Sequence, residues 1–328
     1  MMRMGTSRSG KRSGADVAAG AVTRRAWILF TSLCLVWGIP YLLIRVAARE
    51  VSPPLLAATR CALGAAVLLP LAARRGELRS LRHHGRWLAG FAVIEISIPF
   101  VLIGYGEQHL TSSLTGLLIA SVPLFVAVLA LRLDASQRVT GPRLAGLGVG
   151  LLGVLLLLGL DVGGDGEALL AAGAVLLAAV SYAGGALIIG RAAAQGVPTL
   201  GLAAGGLAGA ALLLAVPAVV TLPPAVPSGR VLLSLGVLGI VCTALALVLL
   251  TALIGEAGAS RATVITYVNP AVAVALGVAL LDEPVSWATG AGFALILAGS
   301  WLSTTGGAPR RRPTHRRVRT DEPAVVSR

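Results

Sequence analysis

Charge is scarce in this chain. Only 12% of its 328 residues are charged, and Asp and Glu together number 14 against 27 Lys and Arg. A soluble domain of this length needs far more polar surface to meet water, so a water-soluble globule is excluded. Cysteine is nearly absent: Cys34, Cys61 and Cys242 make an odd number, lie inside apolar runs and show no metal-ligand spacing. A disulfide framework and a cysteine metal centre are excluded on that pattern, and neither metal nor cofactor is expected. There is no phosphate-cradling GxxxxGK[ST], no HExxH and no GxSxG, so nothing points to an ATP-driven pump or an enzyme. Alternation of apolar and polar residues, the signature of membrane β-barrels, is missing as well.

What is present is apolar and small. Hydrophobic residues make up 56% of the chain and Gly contributes 41 residues; the mean hydropathy is +0.87. The fold class that follows is an all-α integral membrane protein, with the lipid bilayer as its first partner. The formal net charge of +13 invites a nucleic-acid reading. That reading fails because the arginines sit in short loops and tails between apolar runs. Ten spans, each near the roughly 20 residues a bilayer core needs, are drawn at 26–48, 54–73, 87–108, 113–131, 142–160, 168–190, 199–221, 230–253, 262–280 and 287–305. Arg24-Arg25 before the first span resembles a twin-arginine signal, but no small-x-small cleavage site follows, so that span reads as an uncleaved helix. Arg74, Arg75, Arg79, Arg82, Arg86, Arg132, Arg138, Arg143 and the tail arginines fall on the side of the N-terminus. Glu50, Asp161, Asp165, Glu167, Asp282 and Glu283 collect on the other. Both termini are therefore expected in the cytoplasm, with the protein in the inner (plasma) membrane.

The chain also reads as one unit written twice. Trp37 and Tyr182, and Pro53 and Pro198, are 145 positions apart, as are GAAVLL from Gly64 and GAALLL from Gly209. Ser113 and Ser260, and Pro123 and Pro270, are separated by 147. The expected organisation is a basic tail (1–25), a first five-helix repeat (26–160), a second (161–305) and a basic tail (306–328). An odd number of spans per copy makes the second copy enter from the opposite face, an inverted repeat of the kind transporters use.

Three stretches carry a family resemblance: LVWGIPYLLIRVA from Leu35, GEQHLTSSLTGLLIASVPLFVAVLAL from Gly106 and ITYVNPAVAVALGVALLDEP from Ile265. With them the chain resembles the EamA-type members of the drug/metabolite transporter superfamily over residues 26 to 305. The second stretch is most similar to the branch linked to amino-acid and metabolite efflux. The resemblance implies ten helices in two EamA repeats, cytoplasmic termini and export of small organic solutes. The acidic LGE expected after the ninth helix reads Leu281-Asp282-Glu283, and after the fourth it is reduced to Arg132-Leu133-Asp134.

Ionisable residues at membrane depth are costly and therefore informative. Arg60 and Glu95 fall in the second and third spans at depths about 9 Å apart, so the two side chains are within reach of one another. Either Arg60 holds an anionic group of the substrate while Glu95 binds its amine or a proton, or the two form a structural pair. Trp37, Tyr41 and Tyr182 stand near mid-membrane, where they stack on an organic substrate or fill the core. At about 100° per residue, Glu95, Pro99, Leu102, Gly106 and His109 share one face, which leaves Glu107 at the interface. Pro123 and Pro270 remove backbone donors and are expected to kink their helices. Thr263, Thr266, Tyr267 and Pro270 form the face expected to look into the central cavity, with Asn269 turned away. Glycines spaced GxxxG (Gly146/Gly150; Gly201/Gly205/Gly209) are close-packing seams, inside the chain or at a homodimer contact. The function expected is proton-coupled export of small metabolites. An importer or exchanger of the same solutes, and a membrane scaffold, are the alternatives.

Overall fold

The computed structural model describes residues 23–133, 140–161, 165–258 and 264–305. The basic tails, residues 1–22 and 306–328, together with Asp134, Arg138, Ser260, Arg261 and Thr263, lie outside the described residues. Everything described is helix or short connection. The helices are α1 (Arg24–Ala47), α2 (Pro53–Arg74), a short α3 (Glu77–Leu81), α4 (Gly85–His109), α5 (Ser112–Ile119), α6 (Val122–Leu133), α7 (Gly141–Asp161), α8 (Gly166–Ala194), α9 (Thr199–Val220), α10 (Gly229–Ala257), α11 (Ile265–Leu281) and α12 (Trp287–Thr305). Among the described residues eight helices, with α5 and α6 taken as one, are long and apolar enough to cross a bilayer. The apolar α11 is shorter, at 17 residues.

Helix starts follow local chemistry. Thr23, Ser52, Thr111, Asp165 and Ser228 each accept a bond from a backbone N–H in the first turn that follows, which answers donors that no helical carbonyl reaches. Two helices depart from a plain α-helix. The α4 helix is π-helical over Phe91–Ser97 and α10 over Ile240–Leu245. The span read as 113–131 is in fact broken at Ala120–Ser121, two residues before Pro123. A proline ring crowds the carbonyl four residues back and supplies no N–H, so the ladder stops there. Pro270, six residues into α11, is accommodated inside its helix.

The helices pair across the two halves of the chain. The α2 and α9 helices run antiparallel, tied at one end by Ser52 and Thr221 at 2.6 Å and at the other by the Gly201 N–H donating to Glu77 at 2.8 Å. Similarly α1 runs against α10: Thr23 donates to Glu256 at 2.8 Å, and the Ser228 N–H and hydroxyl donate to Glu50 at 2.6 and 2.7 Å. Those two donors hold the Glu50 carboxyl below its usual range. The same arrangement recurs between α8 and α4. Trp87 and Arg86 donate to Gln195 at 2.9 and 3.0 Å at one end, and His109 meets Glu167 at 3.7 Å at the other. Glu50 and Gln195 are 145 positions apart, the spacing of the sequence repeat.

Both glycine seams are intramolecular. Gly201, Gly205 and Gly209 face Glu77, Leu88 and Ala92. Gly146, Gly150 and Gly153 of α7 cross Gly292 and Gly299 of α12 backbone to backbone; a Cβ on Gly153 would stand 2.7 Å from the Gly292 carbonyl oxygen. Without a hydrophobic drive between helices in lipid, such close approach is what holds them. Gly153→Val is expected to force α7 and α12 apart and destabilise the protein by about 2 kcal/mol or more, because backbone cannot give way as a side chain does. Thermal unfolding in detergent measures it; an unchanged midpoint would contradict the seam.

Candidate functional site

One cavity of about 320 Å³ lies where α1, α2, α4, α8, α10 and α11 converge. Both π-helical stretches border it. A π turn adds a residue to the ladder and leaves carbonyls to be answered otherwise. Here hydroxyls answer them. Ser97 donates to the Ala92 carbonyl at 2.8 Å, and Thr243 to the Leu238 carbonyl at 2.8 Å. Both bonds span five residues, and the two hydroxyls are 146 positions apart. Ser181 of α8 donates to the Ile94 carbonyl at 2.5 Å from across the interface.

Arg60 is bound into this frame. Its Nε donates to the Thr243 hydroxyl at 2.8 Å, and its guanidinium carbon lies 3.9 Å from the centroid of the Phe100 ring. Thr243 thus gives its proton to the Leu238 carbonyl and its lone pair to Arg60. Glu95, in the π stretch of α4, also lines the cavity, and its Oε2 is buried without a hydrogen-bond partner. No ion pair joins Arg60 and Glu95; among the described residues, His109 and Glu167 make a contact of this kind. Gly185 of α8 makes room for Glu95: a Cβ there would stand 2.8 Å from the Cβ of Glu95.

Of the residues singled out in the sequence, Arg60, Glu95, Trp37, Tyr41, Tyr182 and Thr266 all line the cavity. Tyr267 does not; Asn269 does, with its Oδ1 buried and unpartnered. The rotation of α11 is set by small-residue packing. Gly38 of α1 receives Val272, Gly116 of α5 sits against Ala273, and Gly277 lies under Ser112 and Ser113. Pro270 is buried in that packing. Beyond the bulge of α4, Phe100 and Ile103 reach the cavity where the sequence reading has Pro99 and Leu102. The extra residue of the π turn advances every later side chain by one position. For the same reason Glu107, expected at the interface, is fully buried. Sequence reading missed Thr243, Phe100 and Gly185, none of which stands out in an apolar run.

The geometry agrees with what known proteins show. The EamA-like transporter family matches residues 24–159 and again residues 169–305. The chain belongs to that family. This EamA-like transporter is 26% identical over 268 residues to the inner membrane transporter YedA of Escherichia coli (strain K12), covering 78% of the chain and 82% of YedA. It is 28% identical over 156 residues to the transporter YoaV of Bacillus subtilis (strain 168), a match that spans 52% of YoaV. Both relatives carry the word uncharacterized in their names. A solved crystal structure superposes with a TM-score of 0.61 at 25% identity, over 86% of this chain and 97% of that one. The protein is thus a multi-pass membrane transporter.

Thr243→Val would leave a buried Arg60 donor and the Leu238 carbonyl without partners at once. The expected loss is about 1–3 kcal/mol, whereas Thr243→Ser is near neutral. Thermal unfolding of the two variants tests this, and equal midpoints would show that the hydroxyl does not hold Arg60.

Proposed function

We propose that this transporter exports small zwitterionic metabolites, amino acids or related compounds, across the inner membrane by proton-coupled alternating access. The observation that carries the reading is a cation and an anion, Arg60 and Glu95, lining one cavity with no bond between them. Arg60 keeps donors for a carboxylate, since one nitrogen is engaged with Thr243 and a guanidinium has five N–H groups. Glu95 and Asn269 offer unpartnered oxygens to an ammonium group or a proton. Trp37, Tyr41 and Tyr182 supply aromatic faces for the rest of the solute. At about 320 Å³ the cavity is at the small end of ligand sites, which span roughly 300–1,000 Å³ and suit a single metabolite.

The architecture in this reading is ten spans in two inverted five-helix repeats, with both termini cytoplasmic. Its support is that repeat mates α2 and α9, and α7 and α12, run antiparallel, and that the end-to-end ties of α1 with α10 recur between α8 and α4. Two like halves in opposite senses give two conformations of similar energy, each open to one compartment.

Counterflow of labelled amino acids in proteoliposomes tests the reading. Glu95→Gln should remove the pH dependence of transport. Arg60→Gln should lower exchange roughly tenfold or more, the effect of losing a charge-assisted bond of about 1.5–3 kcal/mol. Unaltered transport in both variants would remove these residues from the mechanism, and absence of counterflow for any small solute would favour a scaffold.

A further inference from the structure

The cavity leaves one buried carboxylate of α4 unused. Glu107 is fully buried, and neither of its carboxylate oxygens has a hydrogen-bond partner. The Arg45 guanidinium of α1 is turned to the Glu107 backbone carbonyl, to which it donates. A carboxylate anion sealed from water needs donors or a counter-charge, whereas the neutral acid tolerates such a site far better. The groups facing Glu107 are few. Tyr41 and Arg45 come from α1 and Glu283 from the turn after α11. On its own helix Tyr105 and His109 lie with ring centroids 5.0 Å apart, and His109 meets the exposed Glu167 of α8.

Glu283 is held in the opposite way. The Ser112 N–H and hydroxyl donate to it at 2.7 and 3.1 Å, and those of Ser113 at 2.9 and 2.6 Å. These four bonds fasten a turn of the second half to the first turn of α5 in the first half. Asp282, left-handed at φ 52°, turns the chain so that the carboxylate points back. Gly277 beneath leaves the space: a Cβ there would stand 2.9 Å from the Ser112 hydroxyl. One carboxylate is therefore answered by four donors, while its neighbour has the Arg45 charge nearby but no hydrogen bond to either oxygen.

We propose that Glu107 is a proton-binding site that controls the Glu283 clasp. With its proton, Glu107 is a neutral acid and the clasp stays shut. When the O–H bond breaks and the proton passes to water, the remaining carboxylate repels Glu283 and needs hydration, and both are relieved by opening. A cavity of about 180 Å³, bordered by His109, Ser113, Leu114 and Pro284, adjoins the clasp and is where water enters. The device is separate from the substrate cavity and holds whatever solute that cavity carries.

The test uses the full chain in lipid nanodiscs, where both faces are open to reagent and no substrate is required. Leu114→Cys, next to the clasp, reports opening through its reaction with a water-soluble maleimide, against the parent with its three buried cysteines. Going from mildly acid to mildly alkaline buffer, labelling should rise roughly tenfold or more, since a like-charge contact at about 4 Å and an effective dielectric of about 20 opposes closure by more than that factor. Glu107→Gln should label slowly at every pH, Glu283→Gln quickly at every pH, and His109→Ala should keep the pH response. Infrared difference spectra on titration should show a protonated-carboxyl stretch that Glu107→Gln removes and Glu95→Gln keeps. Should Glu107→Gln fail to assemble, Glu107→Asp must shift that band instead. Labelling of the parent clasp that ignores pH would overturn the proposal, as would a response lost in His109→Ala but retained in Glu107→Gln, or a band insensitive to position 107.

Discussion

A peptide carbonyl released from its helical ladder inside a bilayer has no water to turn to, and the cavity of this protein is built around such carbonyls. Two π turns, one in each half, release them beside the cavity, and Ser97, Thr243 and Ser181 answer them from within the protein. The arrangement has a second effect. Because Thr243 donates to a carbonyl, its lone pair faces Arg60 and fixes a guanidinium that would otherwise extend towards the lipid headgroups. Backbone irregularity and side-chain charge are thus placed by one hydroxyl. Arg60 and Glu95 both belong to the first half of the chain, while the Arg60 Nε is held by Thr243 of the second.

The halves are fastened at their ends by polar contacts and along their lengths by small residues. The ties are of modest strength, several at exposed positions where such bonds contribute little net stability. The glycine crossing of α7 and α12 is of another kind. It is backbone against backbone and cannot be remade in a second register without separating the helices.

The span limits were largely legible in the chain. The second span, read as 54–73, is Pro53–Arg74, because Ser52 caps it and two prolines open it. Side-chain direction was legible only up to the first irregularity. Counting about 100° per residue places Glu95 on its face, but the π turn adds a residue, and every later position of α4 is displaced by one. Glu107 is buried for that reason alone. In α11 the rotation follows from where Gly38, Gly116 and Gly277 let neighbours approach, which brings Asn269 rather than Tyr267 to the cavity.

Composition and periodicity by themselves determined that the protein is helical, lies in lipid, is duplicated and carries a few of its charges at membrane depth. These are properties of single segments and of their order, and the cost of burying polar groups in hydrocarbon writes them into each segment. Tertiary structure alone decided which of those charges share a cavity, that Arg60 bonds Thr243 and not Glu95, and that Glu107 is buried without a hydrogen bond while Glu283 is held by four donors. Those outcomes depend on helix rotation and on contacts between residues more than a hundred positions apart, and a π turn or a missing Cβ changes them without leaving a mark in the local pattern.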